Sequence, residues 1–221
     1  MMRYQRNKAV QDIAKETIAY LSSIIIPGIT ERDIKVSAEN FMIKQGIESF
    51  WYYDVGALVF TGHRTLLSIS GKDYSPSDVK VHQEDVVTVD LSPCIGNSWG
   101  DYSRTFIIGS RNNCREISFL NHLHSLLCSS VKTSITFHEL YLIINEEITS
   151  CGFENLDFKS NLGHTIENDI NKRIYIEKNC NTRINDVELF TFEPHIRSAG
   201  GQYGFKMENI YFMTGNNLTE L

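Results

Sequence analysis

Apolar residues recur at helical spacing over residues 7–25, at Val10, Ile13, Ala14, Ile18, Leu21 and Ile25. That pattern predicts a helix with one buried stripe, stopped by Pro27-Gly28. Thr30 then stands as an N-cap, with Asp33 placed to complete a capping box. The helix it opens carries Ile34, Ala38, Phe41 and Met42 and ends at Gly46. Beyond it the period shortens. FWYYDVGALVF and TLLSIS read as strands or strand edges, and VVTVDL and YSRTFII as strands joined by the turn PCIGNSWG.

The plan then repeats. Residues 114–131 are helical by period, and Thr136 caps a helix, HELYLIINEEITS, that stops at Gly152. Thr30 to Gly46 and Thr136 to Gly152 both span 16 positions, and the two caps are 106 residues apart. Under that offset Asp90 falls at 196, near Glu193, and Asp101 at 207, next to Glu208. Each half thus supplies two helices and a strand pair carrying two carboxylates. The prediction is one pseudo-two-fold α+β domain over residues 1–221, with the acids meeting at its centre.

Carboxylates rarely lie in apolar strands, because an unpaired buried charge costs several kcal/mol. Asp90, Asp101, Glu193 and Glu208 nevertheless stand in strand-like segments, and His164 follows Asn161 and Gly163 in a loop. Alternation puts Val86, Thr88 and Asp90 on one face of a strand, with Asp101, Ser103 and Thr105 sharing another. Thr191, Glu193 and His195 share a third, and Lys206 and Glu208 a fourth. If these faces converge, the five residues form a cation site. Four carboxylates balance two divalent ions, which would move the formal net charge from −6 to −2. Oxygen donors with one imidazole suit manganese, with cobalt, iron or zinc as alternatives. A metal pair so held activates water and polarises a carbonyl, the chemistry of amide hydrolysis.

Composition narrows the rest. Lys and Arg are dispersed, which argues against a nucleic-acid partner. No apolar run approaches the roughly 20 residues that span a bilayer, so no membrane partner is expected. The polar N-terminus lacks the apolar core of a secretory signal. The five cysteines are irregularly spaced, without a CxxC pair, and read as free thiols of a reducing, cytoplasmic compartment.

The segments IIPGITERDI, VDLSP, GDYSRTFIIG, LGHTIE, FTFEPHI and MENIYFMT, in this order, resemble the methionine aminopeptidase and Xaa-Pro dipeptidase superfamily of metallopeptidases. The resemblance covers nearly the whole chain. It implies the pita-bread fold, with helices packed on a curved, mostly antiparallel sheet, and a catalytic domain alone. It implies two divalent metal ions, Asp90 gripping one and His164 and Glu193 the other, with Asp101 and Glu208 bridging. Glu193 would also handle a proton, and Thr105 would set its hydroxyl beside the bridge. The implied substrate is a short peptide with a free amino end, nearer the Xaa-Pro side of the superfamily. Relatives carry a histidine ahead of the first Asp and another after the metal-binding one. Here SISGKDYSP and TIENDINKRIYIEKN have neither. His195, on the face shared with Glu193, is the expected catalytic substitute, ahead of His63 and His82. The same departures imply two alternatives, a non-catalytic binding module and a creatinase-like hydrolase of a non-peptide C–N bond.

The remaining features have plainer readings. His122, His124 and His138 read as structural or solvated. The aromatic run at 50–53 reads as core, with a substrate-pocket wall as the sharper alternative. Trp99 reads as a candidate exposed contact for a homodimer.

Overall fold

The computed structural model describes residues 3–109, 114–130 and 135–221. Val131, the end of the third predicted helix, lies outside the described residues. Along the chain run α1 (Arg3–Leu21), α2 (Glu31–Lys44), β1 (Ser49–Phe50), β2 (Ala57–Thr61), β3 (Val86–Leu91), β4 (Pro93–Ile95), β5 (Ser98–Trp99) and β6 (Tyr102–Ile107). There follow α3 (Arg115–Ser130), α4 (Phe137–Ser150), β7 (Phe153–Asn155), β8 (Phe190–Phe192), β9 (His195–Ser198), β10 (Phe205–Lys206), β11 (Asn209–Thr214) and β12 (Asn217–Glu220). The strands form four antiparallel three-stranded groups: β1-β4-β5, β2-β3-β6, β10-β9-β7 and β12-β11-β8.

Each helix pair buries its stripe against its own half. Val10, Ala14 and Leu21 of α1 and Ile34, Ala38 and Met42 of α2 pack on Val59, Val87 and Val89. Leu120, Leu123 and Leu127 of α3 and Leu140, Ile144 and Ile148 of α4 pack on Phe190, Phe192 and Ile196. Both expected capping boxes form. The Thr30 hydroxyl accepts from Asp33 N at 3.1 Å while the Asp33 carboxylate accepts from Thr30 N at 3.2 Å. Thr136 and Glu139 repeat this at 3.1 and 2.8 Å. Both capped helices have 14 residues. Strands β6 and β11 start 107 residues apart, at Tyr102 and Asn209, so the residues just before them, Asp101 and Glu208, are symmetry mates.

Three expectations shift. α1 ends at Leu21, not at Pro27, because Ile24 and Ile25 donate to the Leu21 carbonyl at 3.0 Å in a closing turn. That turn keeps helical spacing and buries Ile25, which made the helix look longer in sequence. TLLSIS is no strand: Gly62–Leu66 is a 3-10 turn, closed by Thr65 donating to Gly62 O at 2.6 Å. The turn PCIGNSWG is itself a hairpin, β4-β5, that pairs with β1. It folds Trp99 inward, 4 % exposed, against Trp51, so Trp99 is not an exposed contact residue.

Candidate metal centre

The carboxylates stand where strands begin or change sheet. Asp101 precedes β6, Glu193 lies in the break between β8 and β9, and Glu208 in the break between β10 and β11. Only Asp90 is inside a strand. Thr191, Glu193 and His195 therefore do not alternate along one strand. Pro194, which has no N–H to give a ladder, interrupts it. The halves are stitched together here, because Glu208 N donates to Ser103 O at 3.1 Å.

His164 takes a strand-like place beside β8, with Thr191 N donating to its carbonyl at 2.7 Å. Gly163 brings the chain in at φ 145°, where an added Cβ would sit 2.1 Å from Thr191 O. Only glycine permits that approach.

The five residues converge. Carboxylate oxygens of Asp90, Asp101 and Glu208 lie within 4.8 Å of one another. His164 Nε2 is 3.5 Å from Asp101 Oδ2 and 3.9 Å from Glu193 Oε1. Its Nδ1 is 3.0 Å from Thr165 O. A carbonyl only accepts, so Nδ1 carries the proton and the Nε2 lone pair faces the acids, the tautomer a metal ligand needs. Burial lowers the His164 pKa to about 4, keeping it neutral near pH 7.

Three buried oxygens, Asp101 Oδ2 and both of Glu208, have no hydrogen-bond partner. Burial, then the Asp90 and Glu193 charges, push Asp101 well above the usual carboxylate range. Burial, then Asp101 and Glu193, do the same to Glu208. Unpartnered buried oxygens around a ligand-ready imidazole fit a divalent cation, which would supply the missing partner.

One group at the centre was not foreseen. Lys206 Nζ donates to Asp90 Oδ2 at 2.5 Å, lies 2.8 Å from Glu193 Oε2 and 3.8 Å from Glu208 Oε2, and its side chain is 16 % exposed. Burial opposes its charge, but Asp90, Glu193 and Glu208 outweigh that and raise its pKa well above the ordinary value. Burial also works to raise Glu193, yet Lys206 overrides it and holds Glu193 below its ordinary value. Thr105 lies against the Lys206 backbone, its hydroxyl accepting from Lys206 N and donating to Lys206 O, each at 2.8 Å. The sequence shows Lys206 on the Glu208 face, but not that it reaches Asp90.

Further supports lie behind the acids. The Gln11 amide of α1 brackets the Asp101 backbone, accepting from its N and donating to its O, each at 2.8 Å. Arg104 donates to Glu208 O at 2.8 Å and to Asn209 Oδ1 at 2.7 Å. Nothing in the periodicity of α1 marks Gln11, since a buried polar residue on an apolar stripe has no partner visible in sequence.

The cleft over the acids has an aromatic wall. Trp51 and Tyr175 meet His164 edge-on at 5.6 and 5.9 Å. Arg173 stands 5.3–5.4 Å from the rings of Trp51, Tyr52 and Tyr175. Of the run at 50–53, Phe50 packs into the first core, Trp51 and Tyr52 line the cleft and Tyr53 is exposed. From SISGKDYSP come Ser68 and Ile69, and from the stretch after His164 come Arg173 and Tyr175. His195 lines a side pocket with Asp90 and Lys206, its Nε2 2.8 Å from Thr65 O. Burial, then Lys206, lower its pKa to about 4. His63 contacts Gln202 O and Tyr203, and His82 contacts Asp85, and neither lines the cleft.

All five cysteines are free. Among the described residues no helix is long and apolar enough to cross a membrane.

Known proteins resemble the chain throughout. The Xaa-Pro dipeptidase of Pyrococcus furiosus is 25% identical over 214 residues, 95% of this chain and 58% of that protein. A putative Xaa-Pro aminopeptidase of Mycoplasma pneumoniae is 23% identical over 87% of this chain and 54% of its own length. The chain thus spans little more than half of these curated relatives. Among solved structures, the prolidase from Pyrococcus furiosus superposes with a TM-score of 0.84 at 24% identity, over 99% of this chain and 63% of its own. Methionine aminopeptidase from Rickettsia prowazekii superposes with a TM-score of 0.76 at 14% identity, over 99% and 96%. The fold is therefore the pita-bread fold of these enzymes. The profile of one metallopeptidase family matches residues 5–215, and on that extent the chain belongs to Metallopeptidase family M24.

Proposed function

We propose that this chain is a divalent-metal-dependent hydrolase of peptide bonds near a free N-terminus, of the Xaa-Pro dipeptidase or aminopeptidase type. The observation that carries this reading is the His164 lone pair 3.5 Å from the unpartnered Asp101 Oδ2, in the carboxylate cluster that Asp101 makes with Asp90 and Glu208. Asp90, Asp101, His164, Glu193 and Glu208 would hold the metal, with manganese the expected ion. A bound divalent ion would activate water and polarise the scissile carbonyl. Glu193, partly exposed and held ionised by Lys206, is the group poised to accept a proton in the cleft. His195, which lines a side pocket with Asp90 and Lys206, would meet the reacting end of a substrate. The rings of Trp51, Tyr52 and Tyr175 give an apolar side chain a surface to lie on. The substrate is a short peptide, the relatives named Xaa-Pro dipeptidase favour proline in second place, and no nucleic-acid or membrane partner is proposed.

A second reading has its own observation. An ammonium already fills part of the acidic site, and neither stretch expected to supply a substrate histidine supplies one. A metal-retaining binding module would keep this geometry without turnover. The separating experiment is a panel of Xaa-Pro and Met-Xaa dipeptides with manganese-loaded protein. Release of free amino acid supports the hydrolase. Metal retained without cleavage of any dipeptide supports the binding module or the hydrolase of a non-peptide C–N bond.

A further inference from the structure

We propose that the cleft holds a single divalent ion, because the Lys206 ammonium takes the place of the second. This rests on the metal-site reading above. The charge count that called for two ions left Lys206 out. Five carboxylates face the cleft, those of Asp90, Asp101, Asp157, Glu193 and Glu208, against three cations, Lys159, Arg173 and Lys206. The formal balance of −2 is the charge that one divalent ion offsets.

The donor atoms divide the same way. Lys206 Nζ lies 2.5 Å from Asp90 Oδ2 and 2.8 Å from Glu193 Oε2, so it consumes the residue that would grip one metal alone. Left without a proton donor are Asp101 Oδ2 and both oxygens of Glu208. The lone pair of His164 Nε2 lies 3.5 Å from that Asp101 oxygen and 3.9 Å from Glu193 Oε1, which leaves donors for one ion. The ammonium is anchored, because Thr105 fixes the Lys206 backbone from both sides at 2.8 Å. It is also nearly enclosed, at 16 % exposure, so a competing cation would have to displace it from two carboxylates at once.

The experiment is manganese content per chain after loading and desalting, with the electron paramagnetic resonance spectrum as a second readout. The expected result is one ion per chain and the multiplet of an isolated Mn(II) in the unaltered protein. In Lys206→Gln, two ions and the broadened signal of a coupled pair are expected. Lys206→Arg should leave the content at one, since it keeps a cation between Asp90 and Glu193, and it serves if Lys206→Gln does not fold. Two ions in the unaltered protein overturn the inference and leave the hydrolase reading standing. Lys206→Gln still at one ion, or two ions in Lys206→Arg, also overturns it. No manganese in any form overturns it together with the metal-site reading itself.

Discussion

The indole of Trp51 stacks on that of Trp99 at 4.5 Å with the planes 8° apart. Trp51 also donates from Nε1 to Gly100 O at 2.8 Å and meets both His164 and Arg173. The stack ties the cleft wall to the hairpin just ahead of Asp101. Truncating either ring should cost about 3 kcal/mol or more, as large-to-small changes at packed aromatics do. Only Trp51→Ala should also weaken manganese binding, by about tenfold, because Trp51 alone of the two touches the ligand imidazole. Urea unfolding and a metal titration of Trp51→Ala and Trp99→Ala check this. Equal metal affinity in the two variants would remove Trp51 from the positioning of His164.

The same pair shows where sequence reading stops. Helices, caps and the order of the five candidate ligands are legible because their signals are local: period, a Thr with an acid three positions on, a carboxylate in an apolar segment. A Gly/Asn turn reads as surface, whereas the burial of Trp99 depends on Trp51, 48 positions earlier. Alternation places Lys206 on the face of Glu208, but its partner Asp90 lies 116 positions away. The first pairing follows from β1 meeting the β4-β5 hairpin and the second from how the two half-domains close on each other, and local spacing carries no record of either.

Gln11→Ala should loosen Asp101 without touching the cleft. The change strands a buried N–H and a buried carbonyl, so a stability loss of about 2–4 kcal/mol is expected. Metal affinity should fall by about 10–100-fold, the usual effect of losing a support behind a ligand. Isothermal titration with manganese reads the second effect. Affinity within twofold of the unaltered protein would show that Asp101 is held by its strand alone.

The two capping boxes serve separate cores, so their losses should add. Thr30→Ala and Thr136→Ala should each cost about 1 kcal/mol. The double variant should cost their sum to within about 0.5 kcal/mol, as distant sites do. A shortfall well beyond that in chemical denaturation would mean that the halves unfold separately and not as one unit.

His195→Ala should lower dipeptide turnover by about 10²-fold while manganese content stays the same, the scale of losing a group that moves a proton or holds the substrate. Its ring is pinned by Thr65 O at 2.8 Å, so the variant removes a positioned group and not a mobile one. Turnover equal to that of the unaltered protein would leave the side pocket a packing feature.

His124 should make the protein acid-sensitive, as the buried cleft histidines His164 and His195 also should. It lies outside the cleft, with Nδ1 2.8 Å from the Tyr211 hydroxyl and Nε2 3.3 Å from Met207 O. A neutral ring satisfies both, donating from Nε2 and accepting at Nδ1. Burial holds its pKa at about 3 against an ordinary 6.5. The unfolded chain therefore takes up a proton below pH 6.5 that the native state refuses until about pH 3. Stability from this group is complete above pH 6.5 and is lost as pH falls through that window, at about 1.4 kcal/mol per pH unit. Between pH 6.5 and 5 the loss should be about 2 kcal/mol. His124→Gln, which keeps a donor and an acceptor, should flatten the profile by that amount in urea midpoints measured across the range. Parallel profiles for the two proteins would place the acid sensitivity elsewhere, in the histidines of the cleft.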